Sequence, residues 1–247
     1  MAATVTAPLR THVLGVPVDV CDVRVQALAL HDRGGGQIVT LNAEMTMAGR
    51  QDAALGAAIA AADLVIPDGA GVVWALSRQG HHVSRAPGIE LAHWLLQQAE
   101  RLGWRVALVG GAPEVMELLR PRLLAELPGL ELVFCCHGYH KAEIWPELER
   151  QLLEAKPDLV LVALGVPRQE TWIHSLAGRR SGLWMGVGGS FDVWAGLKRR
   201  APAWMGSLQL EWLYRLLQEP SRWRRMQALP AFTRAVLAEG RAAASRA

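Results

Sequence analysis

The chain has 247 residues, of which 51% are hydrophobic and 20% charged, with 26 Lys and Arg against 23 Asp and Glu. This composition is typical of a soluble globular protein with a sizeable core. The N-terminal residues lack the apolar core of a signal peptide, and no run approaches the roughly 18 uncharged apolar residues of a spanning helix, so we expect a cytoplasmic protein.

In chain order, Val13–Val20 has the pattern of a small hairpin or edge strand around Gly15. Short apolar runs then alternate with longer helical patterns. The predicted strands are Ile38–Leu41, Leu64–Ile66, Arg105–Val109, Leu130–Cys135, Leu159–Leu164 and Leu183–Val187. The predicted helices are Ala53–Ala62, Gly71–Arg78, Glu90–Leu102, Pro113–Leu127, Ile144–Ala155 and Arg168–Leu176. Apolar strands separated by helices predict an α/β, Rossmann-like fold, with a mostly parallel sheet covered on both faces.

The charge changes near residue 200. Residues 198–247 hold ten Lys and Arg against three Glu, a net charge of +7, whereas residues 1–197 carry −4. We therefore expect an α/β domain over residues 1–200 and a basic, amphipathic helical appendage over residues 201–247. Its Trp and Arg residues suit a lipid headgroup interface. The alternatives are that its apolar helix packs on the body or against a second copy of the chain.

Ligands of parallel α/β proteins bind beyond the carboxyl ends of the strands. Polar residues and glycines follow five of the six predicted strands. They are Thr40 and Asn42; Asp68, Gly69 and Gly71; Gly110 and Gly111; Gly165, Gln169 and Glu170; and Gly186–Gly189 with Asp192. Any one of these groups is an ordinary turn between a strand and a helix, whereas five together predict a binding site.

Asp68 is the candidate general base. It follows the strand Leu64–Ile66, where a carboxylate at the mouth of the sheet could take a proton from a hydroxyl group. The alternative is that Asp68 caps the next helix. Gly69 and Gly71 would let a substrate approach the backbone closely.

Four further groups are candidates for binding a substrate. Thr40 and Asn42 point to one strand face and could bind sugar hydroxyls, or they could make local capping bonds. Gly110-Gly111 and Gly188-Gly189 form strand-to-helix turns whose N–H groups favour a phosphate. Arg85, in a loop, is either a surface residue or a phosphate ligand.

No cofactor or metal is predicted. The dinucleotide fingerprint G-x-G-x-x-G is absent, which disfavours an oxidoreductase. Cys135-Cys136-His137 lacks a second ligand pair at suitable spacing. No D-x-D triplet occurs, so a nucleotide diphosphate would need cationic side chains to offset its charge. The alternative function is a nucleotide-binding module without transferase activity. A nucleic-acid partner is disfavoured, because the tail arginines are interleaved with an apolar helix.

Taken in order, these segments resemble the WecG/TagA/CpsF family of bacterial glycosyltransferases (glycosyltransferase family 26) over residues 15–225. The matching segments are 39–42, 67–71, Arg85 with Gly88, 110–111, 164–170 with Trp172, 186–192 with Gly196, 200–202, and 211–225 at Glu211, Trp212, Arg215, Glu219, Pro220 and Arg225. The resemblance implies inverting, metal-independent transfer from a UDP-sugar. N-acetylmannosamine or its uronic acid would pass to undecaprenyl-diphosphate-linked N-acetylglucosamine, in synthesis of teichoic acid or another cell-surface polysaccharide.

The resemblance also implies roles for individual residues. Asp68 matches the family's proposed general base, and Thr40, Asn42 and Gln169 match positions around donor and acceptor. The appendage is expected to dock on the inner face of the cell membrane and to bring an arginine into the active site; the candidates are Arg215, Arg222 and Arg225. One departure is Glu90, where family members often have Asp. It leaves the sugar preference open, and the alternative is a family member that uses a different UDP-hexose.

Overall fold

A computed structural model describes residues 7–202, 205, 211–218, 223 and 227–244, without the side chains of residues 211, 215 and 242–244. The strands are β1 Leu9–Val13, β2 Val16–Val20, β3 Gly35–Leu41, β4 Leu64–Pro67, β5 Arg105–Gly110, β6 Glu131–Cys136, β7 Leu159–Ala163 and β8 Gly182–Gly186. The helices are α1 Val23–Asp32, α2 Ala43–Gln51, α3 Ala53–Ala60, α4 Ala70–Arg78, α5 Gly88–Leu102, α6 Pro113–Glu126, α7 Trp145–Glu154, α8 Arg168–Ser175, α9 Ser190–Trp194, α10 Glu211–Gln218 and α11 Ala228–Ala244.

Six strands form one parallel sheet in the order β4-β3-β8-β7-β5-β6, and β1 pairs with β2 as an antiparallel hairpin. The predicted α/β fold and hairpin are confirmed, and the six predicted strands lie within two or three residues of those observed. Helices α1, α2, α9 and α11 were not among the predicted helices. The first two are short, and Asp22 and Asn42 begin them with side-chain caps that resemble turns.

Alternate residues of each strand face opposite sides of the sheet. In β5, Val106 and Leu108 join the core formed with α1, α5 and α6, whereas Ala107 and Val109 join the opposite core with α7 and α8. Helices cover both faces, so the strands are apolar throughout, as the sequence predicted. Every strand of this sheet ends at the same edge, where its loops are free to form a site.

The hairpin is joined to the sheet by a buried carboxylate. Asp19 is fully buried and accepts hydrogen bonds from Arg10 Nε and Nη2, each at 2.8 Å, and from the N–H of Val65 at 2.7 Å. Val65 lies in β4, so the carboxylate bridges β2 and the sheet. A buried carboxylate of this kind is stable only while its partners remain.

The C-terminal region returns to the body of the protein. Helix α11 packs against α2 and α4, and its Phe232 and Val236 are buried in their core. Helix α10 instead exposes Trp212 and Leu217 to solvent, with 43% and 69% of their surface accessible. In the described part of the chain, no helix has the length and apolar character needed to cross a membrane. The three cysteines are free thiols.

We predict that Arg10→Met destabilises the protein by about 2 kcal/mol, because it leaves the buried carboxylate of Asp19 without its counter-ion. The cost is below that of a fully buried pair, since Arg10 is one-third exposed. Urea unfolding at pH 7 measures it, with the exposed Arg33→Met as the matched control. Equal stability of the two variants would contradict the prediction.

Candidate active site

A cavity of about 590 Å³ opens at the carboxyl edge of the sheet. Its walls come from the ends of β3, β4, β7 and β8 and from the turn after β5. Among its lining residues are Thr40, Asn42, Asp68, Gly111, Gly165, Arg168, Gln169, Gly188, Gly189, Asp192 and Lys198. Its size lies within the range of small-molecule sites. The structure thus brings together groups that the sequence predicted from five separate strand ends.

A second, smaller cavity of about 120 Å³ adjoins the first. The two share Thr40, Asp68, Val187, Gly189 and Lys198. The smaller one is completed by the start of α5, by Arg199 and Arg200, and by Gln218 of α10. Asp68 therefore lies where two cavities of different size and lining meet.

The carboxylate of Asp68 is held at this junction by the start of α5. Its Oδ1 accepts a hydrogen bond from the N–H of Gly88 at 3.1 Å. Asp68 does not cap the following helix α4, whose N-cap is Gly69 without a side-chain bond. The half-buried carboxylate is thus fixed in orientation yet reaches the cavity, as a proton acceptor must.

Thr40 and Asn42 both line the larger cavity, but their local roles differ. Asn42 is the N-cap of α2, and its Oδ1 accepts from the N–H of Met45 at 2.9 Å. The capping alternative therefore holds for Asn42. Thr40 lines both cavities, and its methyl group packs against Gly88. A Cβ added to Gly88 would lie only 2.7 Å from this methyl group.

Gln169 joins two loops of the larger cavity. Its Oε1 accepts from the N–H of Gly165 at 3.1 Å and of Gly188 at 3.2 Å, and its Nε2 donates to Glu170 Oε1 at 2.7 Å. Gln169 and Glu170 are 2% and 1% exposed. The bond to Glu170 fixes which end of the amide faces the loops. Gln169 lines the cavity from below, and Glu170 supports it.

Glu170 is a carboxyl group that is almost completely buried. Its Oε2 has no hydrogen-bond partner among the described residues, and burial raises the pKa of Glu170 to about 7. The desolvation of the charged form outweighs the bond from Gln169, which acts in the opposite direction. At neutral pH the side chain that orients Gln169, and through it the two loops, is therefore partly protonated.

The glycines divide into two groups. Gly111, Gly188 and Gly189 line the larger cavity. Gly69, Gly71 and Gly110 are not among its described lining, and close packing explains each of them. A Cβ added to Gly69 would lie 2.9 Å from Asn42 Cβ, and one added to Gly71 would lie 3.2 Å from Ala43 Cβ. A Cβ added to Gly110 would lie 2.4 Å from the carbonyl oxygen of Ala163. The substrate approach predicted at Gly69 and Gly71 is thus replaced by helix and strand packing.

The charged candidates are also separated. Asp192 lines the larger cavity and pairs with Lys198 at 3.2 Å. Arg85 lines a neighbouring groove with Arg24 and Glu90, and Pro87 of the same loop lines both this groove and the smaller cavity. Arg222 and Arg225 lie outside the described residues. Arg215 lies on α10, but its side chain is not described, so the three tail arginines stay predictions.

Sequence reasoning did not assign a site role to the basic segment Lys198-Arg199-Arg200, all of which lines the smaller cavity. The signal available was its position directly after α9, beyond the end of β8. Gln218 was also missed. Its Nε2 donates to the carbonyl oxygen of Arg199 at 2.9 Å, a contact across nineteen residues of chain.

Comparison with known proteins identifies the family. A profile of the glycosyl transferase WecG/TagA/CpsF family matches residues 11–246. The chain belongs to this family. The resemblance predicted from the motifs is thereby confirmed, and the chain is an enzyme of the glycosyltransferase class.

Two relatives within the family carry the name N-acetylglucosaminyldiphosphoundecaprenol N-acetyl-beta-D-mannosaminyltransferase. The protein from Bacillus spizizenii is 37% identical over 217 residues, which cover 87% of this chain and 84% of the relative. The protein from Bacillus subtilis (strain 168) is 34% identical over 207 residues, covering 83% and 80%.

We predict that Glu170→Gln flattens the dependence of stability on pH. With a pKa near 7 when folded and about 4.5 when unfolded, Glu170 keeps a proton that the unfolded chain releases. Its contribution to stability therefore falls as the pH rises from about 4.5 to 7, by roughly 3 kcal/mol in total. Urea unfolding at pH 5, 6, 7 and 8 measures the difference between wild type and variant.

The exposed Glu143→Gln is the matched control, and its curve should run parallel to that of the wild type. If stability depends on pH as steeply in Glu170→Gln as in the wild type, a group other than Glu170 causes the dependence.

Proposed function

We propose that this glycosyltransferase moves N-acetylmannosamine, or its uronic acid, from a UDP-sugar to a polyprenyl-diphosphate-linked N-acetylglucosamine. The names of the two relatives support the acceptor and the sugar. The transfer inverts the anomeric centre and uses no metal ion. The observation that carries the proposal is the position of Asp68 at the junction of two cavities, since a direct displacement needs a base between donor and acceptor.

In the proposed reaction, the acceptor hydroxyl oxygen attacks the anomeric carbon of the donor. A new carbon–oxygen bond forms there, the bond to the diphosphate oxygen breaks, and the electron pair leaves with UDP. Asp68 takes the hydroxyl proton as the attack proceeds. Because the Gly88 N–H fixes the carboxylate, little reorganisation accompanies this step.

The larger cavity is the proposed donor site. Its volume suits a nucleotide sugar, and the turn at Gly111 leads into the N-terminus of α6, a helix of 14 residues whose dipole favours a diphosphate. Lys198 lines the same cavity, where it pairs with Asp192. The tail arginines Arg215, Arg222 and Arg225 are proposed to complete the offset of charge on the departing UDP.

The appendage over residues 201–247 is proposed to dock on the inner face of the cell membrane. Trp212 and Leu217 on α10 and Trp223 beyond it are exposed at 43%, 69% and 63%. The net charge of +7 over residues 198–247 favours an anionic surface. This arrangement would place the enzyme beside a lipid-linked acceptor, in a pathway for teichoic acid or another cell-surface polysaccharide, without a nucleic-acid partner.

A donor screen tests the proposed function. The enzyme is given a short-chain lipid-diphosphate-linked N-acetylglucosamine with UDP-N-acetylmannosamine, its uronic acid, UDP-N-acetylglucosamine or UDP-glucose. We expect UDP release with the first or second donor only, and NMR of the product should show the inverted linkage. If the UDP-sugars bind but no donor releases UDP, the protein is instead a nucleotide-binding module.

We predict that Asp68→Asn lowers kcat by about 10²- to 10⁴-fold, because the amide cannot accept the hydroxyl proton. Donor KM should stay within about threefold, since the side-chain shape and the bond from Gly88 N–H are kept. Steady-state assay of UDP release measures both constants.

The exposed Asp32→Asn is the control for loss of a surface carboxylate and should retain wild-type rates. A kcat for Asp68→Asn within twofold of the wild type would remove Asp68 from the role of base.

We predict that the double variant Trp212→Ser, Leu217→Ser binds anionic liposomes at least about tenfold more weakly, because each side chain loses apolar surface that would enter the membrane. Liposome co-sedimentation measures this. Point variants are preferable to a truncation at residue 204, which would remove Phe232 and Val236 from the core. Leu102→Ser, at an exposed site on α5, is the control. An equal loss of liposome binding in the control and in the double variant would refute docking through α10.

A further inference from the structure

The smaller cavity has a basic wall. Lys198, Arg199 and Arg200 all line it, and Asp68 faces the same space. Two of these cations already have carboxylate neighbours, since Lys198 pairs with Asp192 and Arg200 with Glu90. Of the three cations in this wall, Arg199 is therefore the one whose charge no described carboxylate offsets.

Arg199 differs from its two neighbours. Among the described residues, its guanidinium group makes no hydrogen bond or ion pair, although the backbone carbonyl of Arg199 accepts from Gln218. A guanidinium group presents five N–H donors in a planar fork that fits phosphate oxygens. Arg199 is thus positioned to take an anionic ligand without first breaking an existing contact.

The two cavities differ in the size of ligand that they can hold. The larger one, about 590 Å³, lies in the range for a nucleotide sugar, whereas the smaller one, about 120 Å³, has room only for part of a ligand, such as its phosphate groups. Donor and acceptor must occupy different cavities if the hydroxyl is to attack across Asp68. The anion beside Arg199 is therefore expected to belong to the acceptor.

The surroundings of the smaller cavity agree with a lipid-linked ligand. Gln218, the last residue of α10, lines it, and the same helix exposes Trp212 and Leu217. A ligand whose sugar lies at Asp68 and whose diphosphate contacts Arg199 would extend its chain toward this apolar helix. The larger cavity is instead lined by glycine turns of the sheet edge.

We propose that Arg199, supported by Lys198 and Arg200, binds the diphosphate of the lipid-linked acceptor in the smaller cavity, separately from the donor diphosphate. This inference rests on the proposed function for the identity of the acceptor. The basic segment that follows α9 would thus determine how tightly the acceptor binds.

Kinetics with two acceptors test the assignment. With a short-chain lipid-diphosphate-linked N-acetylglucosamine, Arg199→Gln should raise acceptor KM about 10- to 30-fold, as expected for the loss of a charged hydrogen-bonding group. Donor KM should change by less than twofold, and Arg199→Lys should recover part of the loss. With an alkyl glycoside of N-acetylglucosamine, which lacks phosphate, the variant and the wild type should have the same kcat/KM.

Arg179→Gln, at an exposed arginine before β8 and so at the opposite edge of the sheet, is the matched control. Thermal unfolding of all variants checks that they fold. A rise in donor KM, or an equal loss with the phosphate-free acceptor, would overturn the assignment.

Direct binding of farnesyl diphosphate separates this inference from the proposed function. We expect tryptophan fluorescence to show binding that excess UDP does not displace and that Arg199→Gln weakens at least tenfold. If no donor is transferred but this pattern appears, the proposed reaction is wrong and the subsite stands. If transfer proceeds but the variant binds farnesyl diphosphate as tightly as the wild type, the subsite is wrong and the reaction stands.

Discussion

The close approach of α5 to the end of β3 is the constraint on which the site depends. Gly88 begins α5 against the side chain of Thr40, and a Cβ at that position would come within 2.7 Å of Thr40 Cγ2. Only because the helix starts this close can the Gly88 N–H reach Asp68 Oδ1 at 3.1 Å. That bond holds the carboxylate where the two cavities meet, so the chemistry proposed here follows from the packing of one glycine.

A second support lies beneath the cavity. The amide of Gln169 joins the loops after β7 and β8, and its orientation is set by Glu170, a buried carboxyl group with a raised pKa. Burying such a group costs stability, because the charged form loses its hydration. The fold thus retains an unfavourable group in return for a defined arrangement of two glycine-rich loops.

The C-terminal region links the site to the proposed membrane surface. Helix α11 is anchored in the core through Phe232, while α10 remains largely outside it and contacts the basic segment through Gln218. Gln218, the last residue of α10, lines the smaller cavity, and Leu217 beside it in the chain is exposed. The end of this helix therefore lies at the basic wall.

The sequence by itself determined the α/β architecture, the strands and the position of Asp68 at a strand end, because apolar runs and glycine turns are local signals. Tertiary structure alone decided which candidates meet. Asp68 and Arg199 are far apart in the chain, and no local pattern brings Gln218 beside them; Gly71, which looks like part of a substrate loop, packs against Ala43 and Phe232 instead. Such contacts depend on how helices pack across the sheet, a property of the whole fold that no short segment encodes.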